Sequence, residues 1–394
     1  MNLGIVTVWD ERGAGYVSRH YRDYLKKHFN VFIYNRGYSK NKLDQDLQIY
    51  NSKRVSSSKP MSIHKKEFKK WIDINTIETI LFNEQQSWEP ILWCKEWKIK
   101  TIAYIDYYTE DTINLHDAYD LLICNTKRHF DAFKKHHNVK FYKWGTDLKI
   151  FKSSDEDFSI PTFFHSCGYA PLRKGTDKIL KIFNEIKSDF KLIIHTQVDL
   201  KTINEDLKIL MNGIKSNKKI QIVEETIKAP GLYHLADYYL YPTRLEGIGL
   251  TLIEAIACGL LPIIPDAPPM NEFVTDEISY KIKIDKYYSR NDGYYWPQVE
   301  IDENNFKKVI LEIIKNHDNK IPKNIISNYA KENLDFIKNF IGLENDIKNL
   351  SLNPISNSIM DKINDYELQR PLRHKNILKI VNFIYSTLIM IKNK

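Results

Sequence analysis

Short apolar runs alternate with longer amphipathic stretches over most of the chain. Residues 4–8, 31–34, 79–82, 101–105, 121–124 and 140–144 have the length and composition of strands. Between the first two runs, residues 16–29 place Tyr21, Tyr24 and Leu25 on one helical face. Residues 125–137 read as another helix, with Asn125 or Thr126 as its N-cap. The pattern then restarts with a strand at 163–166, a glycine loop and a helix over 176–187. Residues 191–196, 220–223, 238–241 and 261–264 follow as strands. Strands alternating with helices predict an α/β fold whose parallel sheets are covered on both faces. The polar, acidic stretch 152–161 ends in proline and suits a linker. The expected organisation is one domain over 1–152, a second over 161–350 that ends in helices from Ile301, and a tail over 351–394. No short repeat period is present, which excludes a solenoid.

Composition narrows the class. With 43% hydrophobic and 27% charged residues among 394, the chain reads as globular, and its 14 Gly and 14 Pro exclude collagen-like and low-complexity classes. Cys94, Cys124, Cys167 and Cys258 form no CxxC pair, so neither a disulfide framework nor a cysteine zinc site is expected, and a reducing compartment is. The opening MNLGIVTVWD lacks the basic and apolar regions of a leader, and no run of about 18 uncharged apolar residues could span a membrane. A cytoplasmic location is the expectation. The net charge of +8 favours acidic partners: nucleic acid, anionic lipid or a phosphorylated small molecule. An Ile-, Lys- and Asn-rich composition accounts for most of that excess. In the tail, Ile377, Val381, Ile384, Leu388 and Ile391 recur at helical spacing behind Arg370, Arg373, His374 and Lys375. That segment reads either as a helix packed on a domain face or as a peripheral membrane contact through residues 370–394.

The most informative segment is YYLYPTRLEGIGLTLIEAIACGLLPIIPD, residues 238–266. A strand is followed by a loop with two glycines and a helix that begins near Leu250 and ends at Gly259. The first amides of a helix are unpaired and sit at the positive end of its dipole, so Gly249, Leu250 and Thr251 form an anion site. Glu246 and Glu254 flank it, eight positions apart. Carboxylates beside a phosphate site serve to accept hydrogen bonds from hydroxyls, as an acidic residue does for ribose in dinucleotide folds. A phosphate between two polyols describes a nucleotide sugar. The bland alternative is that each glutamate merely favours a helix N-terminus. Two further loops weigh against it. HSCGYAPLRKGTDKIL from His165 puts Arg173 and Lys174 at a strand-to-helix turn, where planar and compact cations suit a diphosphate. GAGYVSRHY from Gly13 follows the first strand with Gly13 and Gly15 but lacks a third glycine.

EGIGLTLIEAIACG resembles the signature of retaining family 4 glycosyltransferases with the GT-B fold, whose two glutamates are separated by seven residues. The resemblance spans most of residues 1–350. WGTDLKIF, ICNTKRHFDAF, LYHLADYYLYPTRLEG and PPMNEFV support it. It implies two Rossmann-like βαβ domains facing across a cleft, with a nucleotide-sugar donor on the C-terminal domain and an acceptor on the N-terminal one. It assigns the donor diphosphate to Arg173 and Lys174, and the ribose hydroxyls to Glu254. Glu246 with the amides of Gly247, Ile248 and Gly249 takes the donor sugar. Gly13 and Gly15 approach the phosphate from the other domain, and Gly168 lies in the loop leading to Arg173. Neither a metal nor a further cofactor is needed, because cations and helix dipoles neutralise the leaving diphosphate. The chain departs from the pattern at Asp106, where many members carry histidine, at Tyr169 in place of an arginine, and at Thr146 and Asp147, which keep half of an asparagine-glycine-valine-aspartate segment.

The expected reaction is therefore metal-independent transfer of a hexose, with retention, from a UDP- or GDP-sugar to a glycan, lipid-linked or other hydroxyl acceptor. A GT-B phosphorylase or sugar-nucleotide epimerase keeps the fold and changes the reaction. A non-enzymatic basic module is the third reading. It lacks any recognisable nucleic-acid motif, so nucleic acid is not an expected partner.

Overall fold

The computed structural model describes residues 1–9, 13–36, 54–57, 63–154, 156–215 and 217–373. The N-terminal half holds β1 (Asn2–Thr7), β2 (Asn30–Asn35), β3 (Val55–Ser57), β4 (Thr79–Asn83), β5 (Lys100–Tyr104), β6 (Leu121–Cys124) and β7 (Val139–Phe141). They form one parallel sheet in the order β3-β2-β1-β4-β5-β6-β7. The C-terminal half holds β8 (Thr162–Gly168), β9 (Lys191–Thr196), β10 (Ile220–Glu224), β11 (Tyr238–Leu240), β12 (Leu261–Pro265) and β13 (Tyr280–Ile282), parallel in the order β10-β9-β8-β11-β12-β13. Strands such as β4, β6 and β12 are buried along their whole length, as expected where helices cover both faces. The two-sheet expectation, with Rossmann-like halves facing one another, is what the chain adopts.

In each sheet the strand order reverses once near the centre, between β1 and β4 in one and between β8 and β11 in the other. Crevices form beyond the carboxyl ends of strands at such reversals, and the loops there are where ligands bind. The loops after β1, β4, β8 and β11 open onto a single cleft of about 730 Å³ between the halves.

Local boundaries differ from the sequence pattern in instructive ways. The first helix starts at Gly13 and ends at Leu25, short of the expected residue 29. The helix expected at 125–137 spans Lys127–Phe133. Thr126 is its cap, accepting from the His129 amide, while the Asn125 side chain bonds Tyr21 and Tyr142 instead. An antiparallel pair, β14 (Ile284–Tyr288) and β15 (Gln298–Ile301), belongs to neither large sheet.

The chain after the second sheet does not stay with it. Helices Phe336–Asn339 and Leu343–Lys348 return to the N-terminal half. Phe336 and Phe340, both almost wholly buried, pack among Tyr21, Tyr24 and Trp144. Asn353 then binds the buried Asp120–Lys95 ion pair by both its amide and its carbonyl. The Asn357–Arg373 helix buries Ile363 on the N-terminal core, and Glu367 accepts from the Trp88 amide. The first part of the tail thus lies against the N-terminal half. The repeat from Ile377 to Ile391 falls outside the described residues. No helix among the described residues is long and apolar enough to cross a membrane. Cys94, Cys124, Cys167 and Cys258 are buried free thiols.

Candidate active site

The sequence-predicted residues converge at the C-terminal wall of the cleft. The β8 loop delivers Arg173 and Lys174, and the β11 loop delivers Glu246. One oxygen of Glu246, Oε1, lies 2.8 Å from Arg173 Nη1 and 2.9 Å from Lys174 Nζ, and accepts from Thr243 Oγ1 at 2.7 Å. Burial pushes the Glu246 carboxyl up, but the two cations outweigh it and hold the acid at about 2. Burial also lowers the Lys174 ammonium, against the pull of Glu246. Glu246 is therefore a fixed anion at neutral pH: it accepts hydrogen bonds and has no proton to give. Lys174 additionally donates to Tyr241 Oη at 2.9 Å, and Arg173 to the Leu245 carbonyl at 2.6 Å, so both cations are held by the loop they face.

Gly249 caps the Leu250–Ala257 helix at φ 95°, a conformation that a side chain would strain. Its position aims the first helical amides into the cleft, where Gly249, Leu250 and Thr251 all form the lining. Glu254 lines the same cleft one turn on, where Tyr233 Oη donates to its Oε2 at 2.7 Å and burial raises its carboxyl. Gly247 meets the opposite domain. A Cβ there would fall 2.1 Å from Asp106 Oδ1, so a larger residue would have to displace that carboxylate. Asp106 is also raised by burial, against Arg128 and Arg173. Gly13 and Ile248 line the cleft. Gly15 and Gly168 do not: Gly15 is buried inside the first helix, and Gly168 ends β8 at φ 54°.

Sequence reasoning missed the side chains that join the two walls. Arg128 is buried and reaches across to donate to the Glu246 carbonyl and, at 3.0 Å, to the Pro268 carbonyl. Glu272 accepts from the Lys127 and Arg128 amides, so a carboxylate of one half caps a helix of the other. A signal for this was present: two basic residues in a first helical turn oppose the dipole and ask for an external anion. The loop between β14 and β15 makes a second crossing. Tyr294 Oη donates to the Asp106 carbonyl at 3.1 Å, the Tyr295 amide to the Tyr108 carbonyl at 2.9 Å, and Tyr107 Oη to the Asp292 carbonyl at 3.0 Å.

Residues 159–332 match the family model described as Glycosyl transferases group 1. An uncharacterized glycosyltransferase 335 of Sulfolobus islandicus rod-shaped virus 1 is 26% identical over 155 residues, 36% of this chain and 44% of that one. The match thus spans less than half of that curated relative. A glycosyltransferase from Rickettsia africae superposes with a TM-score of 0.70 at 13% identity, covering 89% of this chain and 99% of the other. Anabaena HepE, solved in complex with UDP-glucose, gives 0.67 at 13% identity over 89% and 100%. Family match and fold coincide: residues 159–332, which match the glycosyl transferases group 1 model, form the C-terminal half of a chain with the two-domain GT-B fold of these solved structures.

Proposed function

We propose that this protein is a glycosyltransferase that moves a sugar from a nucleoside-diphosphate sugar to a hydroxyl of a glycan or lipid-linked acceptor. The observation that carries the reading is the meeting of Arg173, Lys174, Glu246 and the Gly249-capped helix N-terminus at one end of an interdomain cleft. Two cations against one carboxylate leave a net positive charge, and the helix amides add to it. A diphosphate completes that set, and its charge grows as the sugar leaves, so Arg173 and Lys174 stabilise the departing group. Glu254, already paired with Tyr233 by one oxygen, takes ribose hydroxyls with the other. Glu246 and the amides of Gly247, Ile248 and Gly249 orient the donor sugar. Asp106, which meets Gly247 across the cleft, contacts a sugar hydroxyl. Retention, transfer of a hexose and independence of metal or cofactor are carried over from the resemblance of the two-glutamate motif. The UDP-glucose complex of HepE makes UDP the first base to try.

Calorimetric titration with UDP, GDP and ADP tests the reading. Binding of at least one is expected, weakened roughly tenfold to a hundredfold by Arg173→Ala and less by Glu254→Ala. Absence of binding to all of them overturns it.

A further inference from the structure

The loop between β14 and β15 belongs to neither parallel sheet and contributes to the cleft wall. Its base is tied to the C-terminal half, where Arg244 donates to Glu300 at 2.9 Å and its carbonyl accepts from the Val299 amide. Its tip is tied to the N-terminal half through Tyr294, Tyr295 and Asp292. Held at both ends, the loop sets Arg290 into the cleft beside Tyr107 and Asp106. The Tyr107 and Tyr294 rings stack at 5.4 Å, and the Arg290 guanidinium lies 5.4 Å from the Tyr294 ring centroid.

This cation differs from the two on the opposite wall. Arg173 and Lys174 share a buried carboxylate. Among the described residues the acid paired with Arg290 is Asp292, two positions on in the same loop, with both side chains more than a third exposed. Such an exposed pair contributes little and exchanges readily for a better anion. The N-terminal side of the cleft carries Asp23, Glu84, Asp106 and Asp147 against Arg19, an excess of acids that makes Arg290 stand out as a cation facing it.

Building on the glycosyltransferase reading, we propose that Arg290 is a specificity-determining residue that pairs with a phosphate or carboxylate of the acceptor, whose sugar ring rests against Tyr107. The planar guanidinium suits either anion by paired hydrogen bonds, and Tyr294 beneath it fixes its orientation.

The test titrates the full chain, saturated with the nucleotide it binds best, with a neutral alkyl glucoside, its 6-phosphate, the matching glucuronide and inorganic phosphate. At least one anionic sugar is expected to bind roughly tenfold to a hundredfold more tightly than the neutral one, and Arg290→Gln to remove that preference while Arg290→Lys keeps part of it. The 6-phosphate and glucuronide arms tell which anion is read. The nucleotide dissociation constant is expected to stay within about twofold in both variants. Equal binding of neutral and anionic sugars by the parent chain overturns the proposal. So does binding of inorganic phosphate as tight as that of the sugar phosphate, equal loss for neutral and anionic sugars in Arg290→Gln, or a weakened nucleotide. If no nucleotide binds at all, the glycosyltransferase reading fails as well, and the nucleotide titration alone reports that.

Discussion

The helices returning from the C-terminal half and the mouth of the cleft meet the N-terminal half along two seams of opposite character. One is apolar: Phe336 and Phe340 stack at 4.1 Å and sit edge-on to Tyr21, with Trp144 beside them, all out of water. The other, at the mouth of the cleft, is polar: Arg128 donates to carbonyls, Glu272 caps a foreign helix, the Tyr294 hydroxyl bonds Asp106, Arg128 and His129, and the Tyr295 amide donates to Tyr108. An apolar seam is stabilised by area removed from water and is lost only with the fold. A polar seam exchanges its partners for water at small net cost, so it can open. The difference assigns permanence to one edge and movement to the other, the geometry that a hinge with a ligand in its jaw requires.

The largest test strikes the permanent edge. Phe340→Ala is expected to lower global stability by about 3–5 kcal/mol in urea unfolding, because it empties a filled aromatic cluster. Acid comes next. The Glu246 carboxyl is held at about 2, below its ordinary 4.5, so its ion pairs contribute stability that is complete above 4.5 and lost as the pH falls toward 2. Between those limits the parent chain is expected to lose stability on the order of 3 kcal/mol that Glu246→Gln does not lose, read from denaturation at stepped pH. Arg128→Leu is third. It is expected to weaken nucleotide binding by about tenfold and to move the melting temperature far less than Phe340→Ala does. A melting shift as large as that of the phenylalanine variant breaks the comparison. Glu272→Gln is the smallest, about 1 kcal/mol or less, and shows as faster hydrogen exchange at the Lys127 and Arg128 amides.

The two walls of the cleft were unequally legible in the sequence. The C-terminal wall is local: glycine, glutamate and helix start lie within residues 246–254, and Arg173 and Lys174 adjoin their own helix. Contiguous chemistry of that kind survives in one dimension. Fold class was equally plain, since strands buried on both faces leave long apolar runs. The polar seam was not. Arg128 and Glu272 are 144 positions apart and meet only because β6 and β12 end at the same cleft. The arm from Ile284 to Ile301 contains Tyr287, Tyr288, Tyr294 and Tyr295, whose aromatic spacing has no period that points across a gap. Gly15 shows the converse: it stands in a glycine pair at a helix start, yet helix geometry turns it into the core.

The crossing of residues 336–373 onto the first half bears on how such a protein can be recombined. Exchanging the C-terminal half with that of another protein takes two junctions. The first falls between β7 and β8, where the sequence pattern predicts a linker. The second falls just before Asp335, whose carboxylate starts the returning helices. A chimaera cut only at the first junction would import a foreign Phe336–Phe340 pair against a native Tyr21, and its two halves would no longer share a common interior.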